Sequence, residues 1–113
     1  MTHELKIWKN YFNDILFKGK RFEVRKAERG FQVGDILTLR EYNPIIGKYS
    51  GAEIKVKVNY IWKVNQDILP VSEPYVIMQF DVINYNHVGF LRSLLSAFKE
   101  SEGFNEIEGK WWK

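Results

Sequence analysis

A chain of 113 residues, 45% hydrophobic and 16% aromatic, has material for one buried core and is too short for two ordinary domains. With no cysteine and two distant histidines, His3 and His87, it excludes disulfides, thiolate nucleophiles and Cys-based zinc sites, and no metal or other cofactor is expected. The formal charge of +3 names no partner by itself, and without an apolar run of about 20 residues or a secretory leader the chain is expected to be cytoplasmic, with no membrane partner.

Leu5 to Trp8 alternate loosely and predict a short first strand. Trp8, Tyr11, Phe12, Ile15 and Leu16 then recur at helical spacing, so a helix follows and stops at Gly19, with Lys18 in its last turn. Phe22 and Val24 alternate with Arg21, Glu23 and Arg25, which predicts a half-buried strand with a charged outer face. Ile36 to Tyr42 is a further strand, and Asn43-Pro44 through Ser50-Gly51 reads as turn chemistry. From Ile54, the residues Val56, Val58, Tyr60, Trp62 and Val64 keep period two and predict one continuous buried face, placing Trp62 in the core.

A loop with Pro70 and Pro74 precedes a strand from Tyr75 to Ile83, in which Val76, Met78, Phe80 and Val82 share a side. Phe90, Leu91, Leu94, Leu95 and Phe98 predict an amphipathic helix over Val88–Lys99. Residues 1–84 therefore read as an α+β barrel unit. Residues 85–113 read as a C-terminal helix and aromatic tail packed on the same domain, where Trp111-Trp112 offers a protein contact or a self-association surface.

Several blocks in order carry a resemblance. They are His3-Glu4-Leu5-Lys6-Ile7-Trp8, Tyr11-Phe12, Gly19-Lys20-Arg21-Phe22-Glu23-Val24-Arg25-Lys26, and Phe31-Gln32-Val33-Gly34-Asp35-Ile36-Leu37. The pattern continues through Leu39-Arg40-Glu41-Tyr42, Gly47-Lys48-Tyr49-Ser50-Gly51 and Tyr75-Val76-Ile77-Met78, and spans residues 3–83. Together they resemble the DUF3850 branch of the ASCH/PUA-like superfamily. The resemblance implies a small, partly closed β-barrel with flanking helices, one after the first strand and one near the C-terminus, and a cleft beside Gly19-x-x-x-Glu23-x-Arg25. It also implies that RNA or a nucleotide-like ligand occupies that cleft, in a bacterial or phage protein.

The residues support two readings of the same segment. Lys18, Lys20, Arg21, Arg25, Lys26 and Arg29 crowd together, and each cation paired with a phosphate would release counterions and add salt-dependent affinity. A run of this kind is also what a solvated surface looks like. Glu23 and Arg25, about 7 Å apart on one strand face, can pair with each other or meet a base edge and a phosphate. Tyr49, assigned to a turn, offers a stacking face. His3 reads as a hydrogen-bonded structural residue, and Asp35 as a carboxylate that fixes its turn by bonding backbone amides.

Some ASCH proteins that the chain resembles are amidohydrolases, which remove the acyl group of acetylated cytidine with a Lys, a Thr and a Glu. That likeness implies Lys20 and Glu23 as catalytic candidates, but Glu23 stands three residues after Lys20, where the pattern has threonine, so the hydroxyl nucleophile is missing. A third expectation is a protein-interaction module of a phage or mobile element.

Overall fold

In the first strand, β1 (Thr2–Trp8), strict alternation turns His3, Leu5 and Ile7 inward and leaves Thr2, Glu4, Lys6 and Trp8 outside. In this computed structural model, which describes residues 1–86 together with Val88, Leu91 and Leu95, four more strands follow. They are β2 (Phe22–Lys26), β3 (Ile36–Asn43), β4 (Lys48–Val64) and β5 (Tyr75–Tyr85), with one helix, α1 (Lys9–Phe17), directly after β1. The strand order is β1-β3-β4-β5-β2, with β1 parallel to β3 and every other pairing antiparallel. The sheet curls into a half-barrel, the partly closed β-barrel that the sequence implies.

The core sits inside the curl. Leu5, Ile7, Leu37, Leu39, Ile54, Val56, Val58, Val76, Met78 and Phe80 fill it, with Phe12 and Ile15 of α1 packed on β1 and β3. Fully burying such side chains contributes about 1.5–3 kcal/mol each, so most of the stability lies here. The helix ends at Phe17 with Lys18 as its cap, and Gly19 follows at φ 72°, where a side chain on an L-residue is strained. The turn is closed by the amides of Lys18 and Lys20, which both donate to the Asp14 carbonyl, at 3.0 and 3.1 Å. This geometry fixes the direction in which Lys20 leaves the helix.

Four expectations are corrected. Trp8 closes β1 instead of joining the buried face of the helix, and both Trp8 and Tyr11 are exposed. In β2 the faces are exchanged: Phe22 and Val24 are 47% and 48% exposed, while Glu23 is 5% exposed. The cause is register, since Glu23 and Arg25 pair with the buried Met78 and Val76 of β5 and must share their side of the sheet. Third, β4 begins at Lys48, so Tyr49 is a strand residue paired with Tyr42, and the turn is confined to Pro44–Gly47.

The fourth correction concerns Trp62, which is 44% exposed and outside the core, as is Tyr60 at 59%. A β-bulge lies between Val58, opposite Phe80, and Tyr60, opposite Gln79. One extra residue shifts the parity just beyond it, so Ile61 turns inward in place of its aromatic neighbours, while Val64 at the strand end is buried as expected. The remaining strand assignments agree with the sequence, and in β5 Val76, Met78 and Phe80 are buried with Val82 packed against them. Val88, Leu91 and Leu95 are helical. The rest of the expected Val88–Lys99 helix, His87 and the Trp111-Trp112 tail lie outside the described residues.

The Gly34–Asp35 turn anchors β1 to the sheet through a carboxylate. His3 Nε2 donates to Asp35 Oδ2 at 2.9 Å, the Gln32 amide donates to the same oxygen at 3.0 Å, and the Met1 amino group lies 3.3 Å from Oδ1. Burial pushes the Asp35 carboxyl up, but the hydrogen bonds from His3, Gln32 and the amino group outweigh it and hold the group below its ordinary 3.8. Asp35→Asn should therefore cost about 1–3 kcal/mol at neutral pH. Because the folded value is depressed, the carboxylate's contribution is complete above 3.8 and is lost as pH falls through the lower folded value. Thermal melts should accordingly show a gap between wild type and variant that is widest at neutral pH and closes in strong acid; a gap independent of pH contradicts the carboxylate's role.

Candidate functional site

The two ends of the curled sheet, β1 and β2, are edge strands that face each other without pairing. Arginines bridge the seam between them. Arg25 Nη2 donates to the Lys6 carbonyl of β1 at 2.6 Å, and Arg29 Nη1 donates to the Glu4 carbonyl at 3.1 Å. These carbonyls are two residues apart, so both point to the same edge. Arg21 ties β2 to the end of α1, where its Nη1 donates to the Ile15 carbonyl at 2.9 Å and to that of Lys20 at 2.8 Å.

Above the seam opens a cleft of about 940 Å³. One wall is β1 and α1, which contribute Lys6, Trp8, Tyr11, Asp14 and Lys18; the other is Lys20 and β2, with Phe22, Glu23, Arg25 and Lys26. At its floor Glu23 is buried between two cations. Arg25 Nε donates to Glu23 Oε2 at 2.7 Å, and Lys20 Nζ lies 3.9 Å from Oε1. The Lys20 ammonium also stands over the rings of Tyr11 and Phe22, at 4.8 and 5.2 Å from their centroids.

Five cationic side chains thus meet two carboxylates in the lining, and both carboxylates are already paired, Asp14 with Lys18 at 3.8 Å and Glu23 with Lys20 and Arg25. Lys26 is paired outward with Glu73 at 3.2 Å, and the hydrogen bond and charge of that glutamate raise the lysine above its ordinary value. Asp14 offsets Lys18 and Glu23 offsets one of Lys20 and Arg25, so of these four cations against two carboxylates a net of two positive charges remains, on Lys6 and the Lys20–Arg25 pair. Trp8 and Tyr11 stack on each other at the rim, with centroids 6.4 Å apart and ring planes 25° apart.

Of the residues singled out in the sequence, the cleft brings together Lys18, Lys20, Glu23, Arg25 and Lys26. Arg21 and Arg29 point to backbone carbonyls beside it. Tyr49 lies elsewhere, edge-on to Tyr42 with the Arg40 guanidinium 4.0 Å over its ring. Sequence reasoning missed Lys6, Trp8 and Tyr11, whose signal was present only as outward positions of β1 and one exposed helix turn. Among the described residues, no three His, Asp or Glu side chains form a group suited to a metal ion, and no helix is long and apolar enough to cross a membrane.

A curled five-stranded sheet with a helix after its first strand matches the fold of ASCH domains. The ASCH protein of Zymomonas mobilis has this fold, with a TM-score of 0.50 over 76% of this chain and 73% of its own at 11% identity. Its S128A variant gives 0.51 over 72% of each chain, also at 11% identity. At that distance the likeness is one of fold.

The chain belongs to the DUF3850 family, described as a domain of unknown function, whose model matches residues 2–80. A relative from Escherichia phage P2, described as an uncharacterized 12.9 kDa protein in the GpA 3′ region, is 30% identical over 76 residues. That match covers 67% of this chain and 64% of the phage protein, just under two thirds of its length.

Because Glu23 is buried, removing its arginine leaves a carboxylate with only the more distant Lys20. Arg25→Ala should destabilise the fold by about 2–4 kcal/mol. The double variant Glu23→Gln/Arg25→Ala should cost less than the sum of the two single changes, with a coupling of about 1 kcal/mol or more. Urea unfolding of the four proteins measures this directly, and additive costs would show that the pair is not energetically linked.

Proposed function

We propose that the seam cleft binds RNA or a nucleotide-like ligand, with phosphate oxygens on Lys18, Lys20 and Arg25 and a base against the Trp8–Tyr11 stack. The observation that carries this reading is the convergence of surplus positive charge and exposed aromatic faces in one concavity. Phosphates need cations held in place, and bases need flat apolar faces open to water. Arg25 is held by Glu23 and by the Lys6 carbonyl, so little side-chain freedom remains to be lost when a phosphate arrives. The membership in an ASCH-like fold family and the phage relative are consistent with this reading and do not name the ligand.

A hydrolytic reading has one observation in its favour, the Lys20–Glu23 pair at the floor of the same cleft. It has one against it: the residue three after Lys20 is Glu23 and not threonine, so the hydroxyl nucleophile that the resemblance implies is missing. Incubation with acetylcytidine, followed by chromatography for free cytidine, separates the two. Turnover that disappears in Lys20→Ala would put hydrolysis ahead of binding.

Titration with single-stranded RNA, followed by tryptophan fluorescence, tests the binding reading. Three phosphate contacts predict that log K falls with log salt at a slope of about −2, and Lys18→Ala should reduce that slope by about 0.7. Arg25→Lys, which keeps the charge and loses the fork, should weaken binding about tenfold. An absence of binding at low salt, or affinity indifferent to both substitutions, rejects the proposal.

A further inference from the structure

Beyond the cleft, the outer face of β4, β5 and β2 carries an apolar patch distinct from the charged seam. Strand pairing lays it out in two rows, Tyr60–Gln79–Phe22 and Trp62–Ile77–Val24, each crossing three strands. Along a strand the rows are about 6.7 Å apart, and Tyr60 and Phe22 are separated by two strand spacings, about 9.6 Å. A shallow hollow of about 340 Å³ lies among Arg21, Phe22, Tyr60, Trp62, Ile77 and Gln79.

Two independent inversions create this face. The bulge after Val58 turns Tyr60 and Trp62 out of the core, and the pairing of Glu23 and Arg25 with buried β5 residues turns Phe22 and Val24 out. Bulges concentrate where a side chain must be re-aimed for a purpose, and contiguous exposed apolar surface marks an interaction site. We infer that this face is a stacking platform for the bases of a single-stranded nucleic acid that continues out of the cleft. The inference rests on the cleft being a nucleotide site.

Continuity and charge favour that occupant over a protein. Phe22 lines both the cleft and the hollow, so a strand leaving one passes onto the other over a single ring. The Lys20 ammonium stands over that ring, and the Arg21 guanidinium is held at the edge of the hollow by the Ile15 and Lys20 carbonyls. No acidic side chain lines the hollow among the described residues. Flat faces bordered by fixed cations match a polymer of bases and phosphates, and the Gln79 amide gives a base edge something to bond.

The test compares adenosine monophosphate with oligoadenylates of three and nine nucleotides, using the full chain and fluorescence anisotropy by competition. Wild-type affinity should rise at least about tenfold from the monophosphate to the nonanucleotide. Tyr60→Ala/Trp62→Ala should abolish that rise while leaving the affinity for the monophosphate unchanged, and Trp62→Phe should retain most of it; circular dichroism confirms that each variant is folded. If the double variant binds the nonanucleotide as wild type does while Arg25→Lys weakens every ligand, the platform is overturned and the cleft stands. The platform is likewise overturned if the double substitution only converts a dimer to a monomer, or if wild-type affinity does not grow with length. If no adenylate binds at all, the cleft reading fails and takes the platform with it.

Discussion

A carboxylate buried where a barrel fails to close is the constraint from which most of this molecule follows. Glu23 sits on an edge strand whose neighbour across the gap, β1, offers no backbone pairing, and a bare carboxylate there would be costly to desolvate. Arg25 relieves that cost by bonding Glu23 and the Lys6 carbonyl together, which also fastens the two edges of the sheet. Lys20 supplies the second cation, delivered there by the left-handed turn at Gly19. The seam is thus stable because it is polar, and it is open to solvent for the same reason.

The placement of Glu23 also explains why β2 turns its apolar residues outward. A strand has only two faces, so once Glu23 and Arg25 occupy the inner one, Phe22 and Val24 have no alternative. The apolar area lost from the core is made good elsewhere, by Phe12 and Ile15 descending from α1 and by the long interior faces of β4 and β5. The cleft and the aromatic face are therefore two sides of one arrangement, and Phe22 belongs to both.

Much of the fold was legible in the sequence where alternation is long and uninterrupted. β1, β5 and the Ile54–Val58 stretch of β4 follow it, and Gly19 marks the end of the helix correctly. Period two does not say which face is inside, and in the five residues of β2 hydrophobicity pointed the wrong way because a charge pair outranks it at the seam. The bulge in β4 broke parity in the middle of a run, and only Asn59, a poor strand former among valines and aromatics, hinted at it. At the site, the cations from Lys18 to Lys26 were legible because they are adjacent in sequence. Lys6, Trp8 and Tyr11 were not, because a helix and a strand crossing bring them in from a separate part of the chain.

Open sheet edges invite trouble, since a row of unpaired backbone groups is a template on which another molecule's strand can build. Here the exposed carbonyls of Glu4 and Lys6 are already occupied by guanidinium groups from the opposite edge. An incoming strand would have to displace two arginines and strand a buried negative charge before making its first bond. The arginines that leave this barrel ajar therefore also guard it against fibril-like polymerisation, so that the protein keeps an accessible opening without the aggregation hazard that usually accompanies one.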